Sequence, residues 1–581
     1  MKTLKNFINK TIENSFLENG YDSSLGVVEY SSNNKFGQFQ CSGSLTLAKR
    51  IKENPMLIAE KIKISLEKTK YFNSVNVLKP GFINLVIKDE LLMNYTKKTY
   101  IQLNEEREQN KGKIIIDYGG PNIAKPLHVG HLRSAIIGES LKRIGNYIGY
   151  NVIGDVHLGD WGLQIGLIMC EMKERNPSWC YFNDNFNGLY PTKSPFTIEI
   201  LEEIYPFASI KSKKNSKFLT EAKKATKDFQ QGNKGLKELW SQILDVSIND
   251  LKKNYSNLNV NFELWKKESD VQKYIPQIIK YLKDKNYSKV SEGAVVVPVS
   301  FNDDKRTIPP FMLVKTDGAT LYSTTDLATI VEREEQFTPQ EIIYVVDKRQ
   351  ELHFEQVFRC AYKTKLFPEN KRLSFIGFGT MNGKDGKPFK TRDGGTLKLS
   401  DFLITVEESV RSKMLQSKKE YNEETMKKIS LAAIKYADLS NQPHKDYIFD
   451  IRKFTSFEGN TGPYILYSLT RIKSILNKST TKDLTLLTLE SPNSEVERQL
   501  YLELTKFEEV INQSFEIYSP HKICQYIYTI SNLFNSFYHK TNILNEKDLK
   551  QKKSWLQLLK ITEKNLEISL NLLGLESVDK M

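Results

Sequence analysis

Hydrophobic positions recur along this chain in three different rhythms, and the changes of rhythm divide it. Residues 1–105 mix periods. A helical stretch from Met1 to Phe16 is followed by short apolar pieces, Val27, Val28, Tyr30, Phe36 and Phe39. A second helical stretch runs from Leu45 to Ile64, and a Pro80-Gly81 turn leads into the strand-like run Phe82 to Ile87. This mixture predicts a small α+β unit. The charged residues from Glu105 to Lys113 read as a linker. At Lys113 the pattern becomes that of a parallel sheet. Ile114, Ile115 and Ile116 predict a buried strand, and Asp117 to Asn122 a loop. Leu132, Ile136, Ile137, Leu141 and Ile144 recur at helical spacing from His131 onward, before a second strand at Asn151 to Ile153. Residues from about 170 to 290 are rich in Lys, Glu and Asn, and read as a helical insertion. The sheet is expected to resume with Val295–Val297, Phe311–Val314, Ile342–Val346 and Leu373–Phe378. From residue 401 only helical stripes remain, such as Ile465, Leu469, Ile472 and Leu476, or Ile523, Ile527, Ile530, Phe534 and Phe537. The expected organisation is an α+β unit over 1–105, a parallel-sheet α/β unit over 111–400 with its insertion at about 170–290, and an all-α bundle over 401–581.

Composition narrows the class. A chain of 581 residues is too long for a single core. It has no run of 18 or more apolar residues, so no transmembrane helix is expected. The first residues carry Lys2, Lys5, Lys10 and Glu13 without an apolar stretch, which suits a structural helix; a basic organellar presequence is the alternative. Cys41, Cys170, Cys180, Cys360 and Cys524 form no CxxC pair, which points to reduced thiols in a cytosol and away from zinc or disulfides. A net charge of +14 suits a polyanionic partner such as nucleic acid, although a generally lysine-rich composition produces the same excess.

Candidate chemistry concentrates in Pro121-Asn122-Ile123-Ala124-Lys125-Pro126-Leu127-His128-Val129-Gly130-His131-Leu132-Arg133-Ser134. Two histidines bracket a glycine where a helix opens after a strand. Gly130 permits close approach to the backbone. The helix start offers free N–H groups and the positive end of its dipole to an anion. Imidazole N–H groups there can donate to phosphate oxygens and stabilise charge at an attacked α-phosphorus. As plain structure, His128 and His131 would be helix caps or metal ligands.

This stretch resembles the HIGH motif of the class I aminoacyl-tRNA synthetases, and its surroundings resemble the arginyl members. Four further blocks follow in that family's order: Gly154 to Gly166, Asp317-Gly318 with Tyr322 to Ala328, Tyr344 to Asp347 with Gln350, and Ser456 to Tyr464. The resemblance covers essentially the whole chain. It implies a Rossmann-type catalytic unit, an amino-terminal addition that touches the tRNA corner and a carboxy-terminal anticodon-binding bundle. It implies that arginine is activated with ATP and Mg²⁺, then esterified to tRNA(Arg), by a monomer with no tightly bound cofactor. A guanidinium demands carboxylate acceptors because it carries five donors and never deprotonates. Asp326 is the obvious carboxylate, and Tyr322, four residues earlier, faces the same way on a helical turn; a cap for the helix beyond is the plainer reading of Asp326. The resemblance implies that Tyr322 and Asp326 hold the arginine side chain, and that Asp117, Asn122, His131 and Gln350 help place the amino acid. It assigns ATP to Lys125, His128, Gly130 and His131.

The second phosphate motif departs from the family's KMSKS pattern. The matching region, Gly383 to Gly395, is basic and glycine-rich, with Lys384, Lys390, Thr391 and Arg392 as ATP contacts and Lys390 as a catalytic candidate. In arginyl enzymes with this departure a lysine just before the histidines compensates, here Lys125. An ordinary basic surface turn is the alternative. On the tRNA side, Tyr447, Phe449, Phe457, Tyr464, Tyr467 and Arg471 offer aromatics and charge suited to unpaired bases, with Tyr464 and Arg471 favoured. In a bundle most such aromatics are core. His157, Asp160 and Trp161 read as braces of the site more than as contacts. A class I enzyme for another amino acid is a second reading; one for cysteine would be expected to use a zinc to choose its thiol, and no zinc-like cluster is visible in the sequence. A silent tRNA-binding paralogue would show damage around His128 and His131.

Overall fold

A computed structural model of the chain describes residues 3–31, 36–316, 318–387, 397–416, 422–479 and 488–581. The amino-terminal unit contains α1 (Leu4–Glu18), β1 (Val28–Tyr30), β2 (Phe39–Cys41), α2 (Gly43–Ile51), α3 (Pro55–Glu67), β3 (Phe72–Leu78), β4 (Phe82–Ile87) and α4 (Asp89–Asn104). Its strands form an antiparallel sheet in the order β1-β2-β4-β3. The helical stretch expected from Leu45 to Ile64 is two helices. Lys52 adopts φ 58°, Asn54 caps α3 by accepting from Met56 N at 2.9 Å, and Pro55 opens that helix. Proline at a first helical position loses nothing, because that N–H has no partner within the helix.

The central unit runs β5 (Lys113–Tyr118), α5 (Val129–Tyr147), β6 (Asn151–Asp155), α6 (Leu163–Arg175), α7 (Ile198–Lys214), α8 (Ser216–Gln230), α9 (Lys234–Asn257), α10 (Ile275–Asp284), β7 (Lys289–Ser291), β8 (Ala294–Val297), β9 (Phe311–Val314), α11 (Tyr322–Phe337), β10 (Glu341–Asp347), α12 (Glu351–Lys363), β11 (Arg372–Phe378) and β12 (Met381–Asn382). Four strands make a parallel sheet in the order β11-β10-β5-β6. Both faces are covered, so the middle of each central strand is apolar. Ile114, Ile116, Tyr118, Ile343 and Val345 join one core, and Ile115, Ile342 and Tyr344 join another on the opposite face. Each such buried side chain contributes about 1.5–3 kcal/mol.

One expectation needs correction. The runs at Val295 and Phe311 do not return to the parallel sheet; β7, β8 and β9 form a separate antiparallel sheet. The reason lies in the turn between β7 and β8. Glu292 and Gly293 both take positive φ, 49° and 79°, and a two-residue turn of that kind folds a strand straight back on its neighbour. The parallel sheet resumes only at Glu341.

Beyond β12 the regular elements among the described residues are helical apart from β13 (Tyr447–Ile448), which pairs with β12. It runs α13 (Leu399–Gln416), α14 (Glu423–Leu439), α15 (Ile451–Phe454), α16 (Gly462–Lys478), α17 (Glu495–Leu504), α18 (Phe507–Glu516), α19 (His521–Lys540) and α20 (Leu549–Leu572). The amino-terminal unit docks on this bundle: Arg498 pairs with Asp89, Arg107 with Glu508, and Tyr30 Oη donates to Glu509 at 3.0 Å. Helix α5 ties the bundle to the sheet. Arg133, wholly buried, donates to Asp438 Oδ2 at 2.9 Å and to the Gly379 and Lys445 carbonyls. Ser140 and Arg143 donate to the carbonyls of Leu572 and Asn571 at the end of α20. Lys435 on α14 donates to the Gly574 carbonyl at 2.8 Å and that of Leu258 at 2.9 Å, and burial pulls its pKa down to about 7.

Candidate active site

The chain leaves β5 toward β6 on one side, and leaves β10 toward β11 on the other. Their carboxyl ends therefore part and open a crevice at the switch point of the sheet. A cleft of about 600 Å³ lies there. It brings together Asp117, Asn122, His128, Gly130, His131, Tyr322, Asp326 and Gln350. Helices α5, α11 and α12 all begin at its rim.

The two histidines do cap α5, and in capping it they fix their own tautomers. His128 Nδ1 accepts from Gly130 N at 3.0 Å, while His131 Nδ1 accepts from His128 N at 3.1 Å. A ring nitrogen that accepts from a backbone N–H carries no proton, so in each neutral ring the proton sits on Nε2. The rings stack with centroids 3.8 Å apart. Burial, then the charges of His128 and Lys125, push His131 down to about 3; burial and Lys125 also lower His128. Both are neutral N–H donors at physiological pH, beside the positive end of α5. A Cβ at Gly130 would lie 2.7 Å from His128 Cε1, so any side chain there would force the imidazole out of its capping position. The next residues hold the crevice open: Ser134 Oγ accepts from Gly119 N at 2.8 Å and donates to the Val345 carbonyl at 2.6 Å, bridging the ends of β5 and β10.

Asp117 forms the floor. Its Oδ2 accepts from Arg333 Nη2 at 2.6 Å, and the same nitrogen donates to Asp155 Oδ2 at 2.6 Å. Burial drives Asp117 toward its protonated form, and Arg333 opposes this. Asp117, Asp155 and His157 are spaced closely enough to hold a cation, but this guanidinium already bridges both carboxylates. Through Arg333, α11 is locked to the ends of β5 and β6.

The opposite wall is acidic. Tyr322 opens α11 and Asp326 lies one turn on, inside the helix and not at its cap. Tyr322 is 66% exposed, too open for a core tyrosine, and stands at the cleft. Two residues here escaped the sequence reading. Glu268 lines the cleft, and burial, then the charges of Asp160 and Asp326, push it up to about 8. His353 lines it too, with Nε2 2.6 Å from Asp326 Oδ2. Glu268 sits in a charged loop, Lys266-Lys267-Glu268-Ser269-Asp270, that looks like surface. His353 follows Gln350 by three residues at the start of α12, a spacing that could have revealed it.

The remaining candidates are scattered. Lys125 does not line the cleft, but its charge reaches both histidines. Lys384 belongs elsewhere: its Nζ pairs with Asp450 at 3.1 Å, because the Gly383–Lys387 turn closes on itself through Gly383 N and the Lys387 carbonyl. Asp317, Lys390, Thr391 and Arg392 lie outside the described residues. Asp160 is a brace, accepting from Ser269 N and Oγ at 3.0 and 2.6 Å, and Trp161 packs on Phe229 and Trp240. In the bundle, Tyr447 and Phe449 are core. Tyr464 spends its hydroxyl on Asn532 and Asn535 and does not reach the large cavity nearby. Arg471 does line that cavity of about 1170 Å³, its guanidinium 4.6 and 4.9 Å from the ring centres of Tyr467 and Tyr538.

The chain is also similar to known proteins. Residues 93–451 match the profile described as "tRNA synthetases class I (R), catalytic domain", residues 465–581 the "DALR anticodon binding domain", and residues 2–87 the "Arginyl tRNA synthetase N terminal domain". The chain is 49% identical to the arginine–tRNA ligase of Alkaliphilus oremlandii and 48% identical to that of Agathobacter rectalis, covering 100% of both chains in each case. The crystal structure of arginyl-tRNA synthetase from Plasmodium falciparum superposes with a TM-score of 0.82 at 27% identity, covering 100% of each chain. The chain belongs to the arginyl-tRNA synthetase family: it activates L-arginine with ATP, releasing pyrophosphate, and transfers the arginine to the 3′-terminal ribose of tRNA(Arg).

Proposed function

We propose that the cleft at the sheet's switch point holds both reactants of the first step, with the nucleotide against α5 and the guanidinium against the acidic wall. One observation carries this reading: neutral imidazole donors at a helix start and the carboxyl groups of Asp326 and Glu268 line the same crevice. His128 and His131 donate from Nε2 to phosphate oxygens of MgATP, and Gly130 lets the nucleotide lie close. Tyr322, Asp326 and Glu268 receive the guanidinium, whose donors outnumber what one carboxylate accepts. Asp117, Asn122 and Gln350 orient the main-chain end of arginine, so that its carboxylate attacks the α-phosphorus in line. Charge stabilisation and positioning supply the acceleration. Lys125 adds positive charge beside the histidines, with Lys390, Thr391 and Arg392 on the leaving pyrophosphate.

For tRNA, residues 401–581 take the anticodon end and residues 1–105 the corner of the molecule, with 111–400 catalytic. The Arg471 cavity, flanked by Tyr467 and Tyr538 and rimmed by Lys478, Lys540 and Lys580, suits an unpaired base and its phosphates. The enzyme acts as a monomer in the cytosol. All five cysteines are free, as a reducing compartment requires, and among the described residues no helix is long and apolar enough to cross a membrane.

Asp326→Ala tests the pocket. A guanidinium left without its carboxylate loses about 3 kcal/mol or more, which is more than about 100-fold in kcat/KM for arginine. Pyrophosphate exchange with tRNA present should show this loss at an unchanged Tm. Near-normal charging by the variant would mean that the pocket lies elsewhere.

A further inference from the structure

We propose that His353 is a positioning residue for arginine recognition: it holds the Asp326 carboxylate in the orientation that receives the guanidinium. The inference rests on the assignment of Asp326 to arginine. The two side chains come from different helices, α11 and α12, that start side by side at the cleft. His353 Nε2 lies 2.6 Å from Asp326 Oδ2, and a carboxylate can only accept, so the imidazole donates. The ring stands edge-on to Phe354 at 5.1 Å, and Phe354 packs on Tyr344 of β10 at 4.8 Å. A short helical side chain such as Asp326 would otherwise sample several rotamers, each aiming its charge differently. With Oδ2 committed to His353, Oδ1 is left for the ligand. Ordering of the carboxylate is thus complete before arginine arrives, and binding does not bear that cost. The effect falls on ground-state affinity for arginine, and the nucleotide side is untouched.

Two substitutions separate a hydrogen-bond role from simple packing. Gln Nε2 and His Nε2 lie the same number of bonds from Cα, so His353→Gln keeps a donor within reach of Asp326. Asn places its amide where Nδ1 was, so His353→Asn does not. The assay is steady-state pyrophosphate exchange with tRNA, varying arginine and ATP separately, with thermal unfolding alongside. A lost hydrogen bond to a charged group corresponds to about a 10- to 100-fold rise in KM for arginine. His353→Asn should show that rise with kcat at saturating arginine and KM for ATP unchanged, and His353→Gln should return KM to within about threefold of the parent. Placed on Asp326→Asn, His353→Asn should add less than about a twofold effect, since the carboxylate it orients is gone. Wild-type KM in both variants, equal impairment in both, or a fall in kcat at unchanged KM each overturns the proposal. If Asp326→Asn itself leaves KM for arginine unchanged, the pocket assignment fails, and the His353 role with it; if only the His353 variants are silent, the pocket stands and this role alone is lost.

Discussion

The proposed pocket makes arginine binding a proton-linked event through Glu268. With the site empty, burial and two neighbouring carboxylates hold its pKa up at about 8. A guanidinium favours the ionised form, so binding must release the proton whenever Glu268 carries one. The sign is fixed: this is an acid with a raised pKa, ionised only above about 8, so affinity climbs as pH rises through that value. At pH 7 about one site in ten is ionised, and the cost of deprotonation is about 1.4 kcal/mol, close to tenfold in Kd. Between pH 6 and pH 9 the Kd for arginine should fall by about 90-fold, with nearly one proton released per arginine at the acid end. Isothermal titration calorimetry in two buffers of different ionisation enthalpy measures both quantities. Glu268→Gln should flatten the dependence and bind more weakly at pH 9. A pH-independent Kd with no proton released in the parent enzyme would refute the reasoning.

Two further outcomes follow from the same geometry. Lys125→Ala should slow adenylate formation more than it weakens tRNA binding, because its charge acts beside the histidines; single-turnover kinetics and filter binding separate the two, and equal effects would remove that role. Arg333→Met should lower unfolding free energy by about 3–5 kcal/mol in urea titrations, since Asp117 and Asp155 would stay buried without their shared partner; a change below 1 kcal/mol, roughly the scale of an exposed pair, would show that the bridge carries little.

Much of the architecture was legible because its periods differ. Three successive isoleucines before a glycine-bearing loop and a helical stripe could only be a buried strand feeding a helix, and that is β5 and α5. The runs at Val295 and Phe311 misled for the opposite reason. Hydrophobicity reveals that a strand is buried but not which strand it pairs with, and pairing was decided by Glu292-Gly293, a turn with little hydrophobic signal. The same division holds at the site. His128, His131 and Asp326 stood in contiguous motifs and meet at one cleft. Glu268 reaches it from a loop distant along the chain, and its presence there depends on tertiary folding alone, whereas His353 lay three residues beyond Gln350 and was within reach of the motif. Lys384 shows the converse, a basic residue in a phosphate-like sequence that an Asp450 partner turns away.

Helix α5 acts as a lever. Its first turn carries the two histidines, while Arg133, Ser140 and Arg143 grip the bundle along its length. Nineteen residues at 1.5 Å each make a rod of roughly 28 Å. A rod that long converts a tilt of about 2° at its far end into about 1 Å at the imidazoles, a displacement large enough to cost about 100-fold in rate. In the proposed site, the bundle's helices and the imidazoles therefore share one stiff element, and neither can move far without the other.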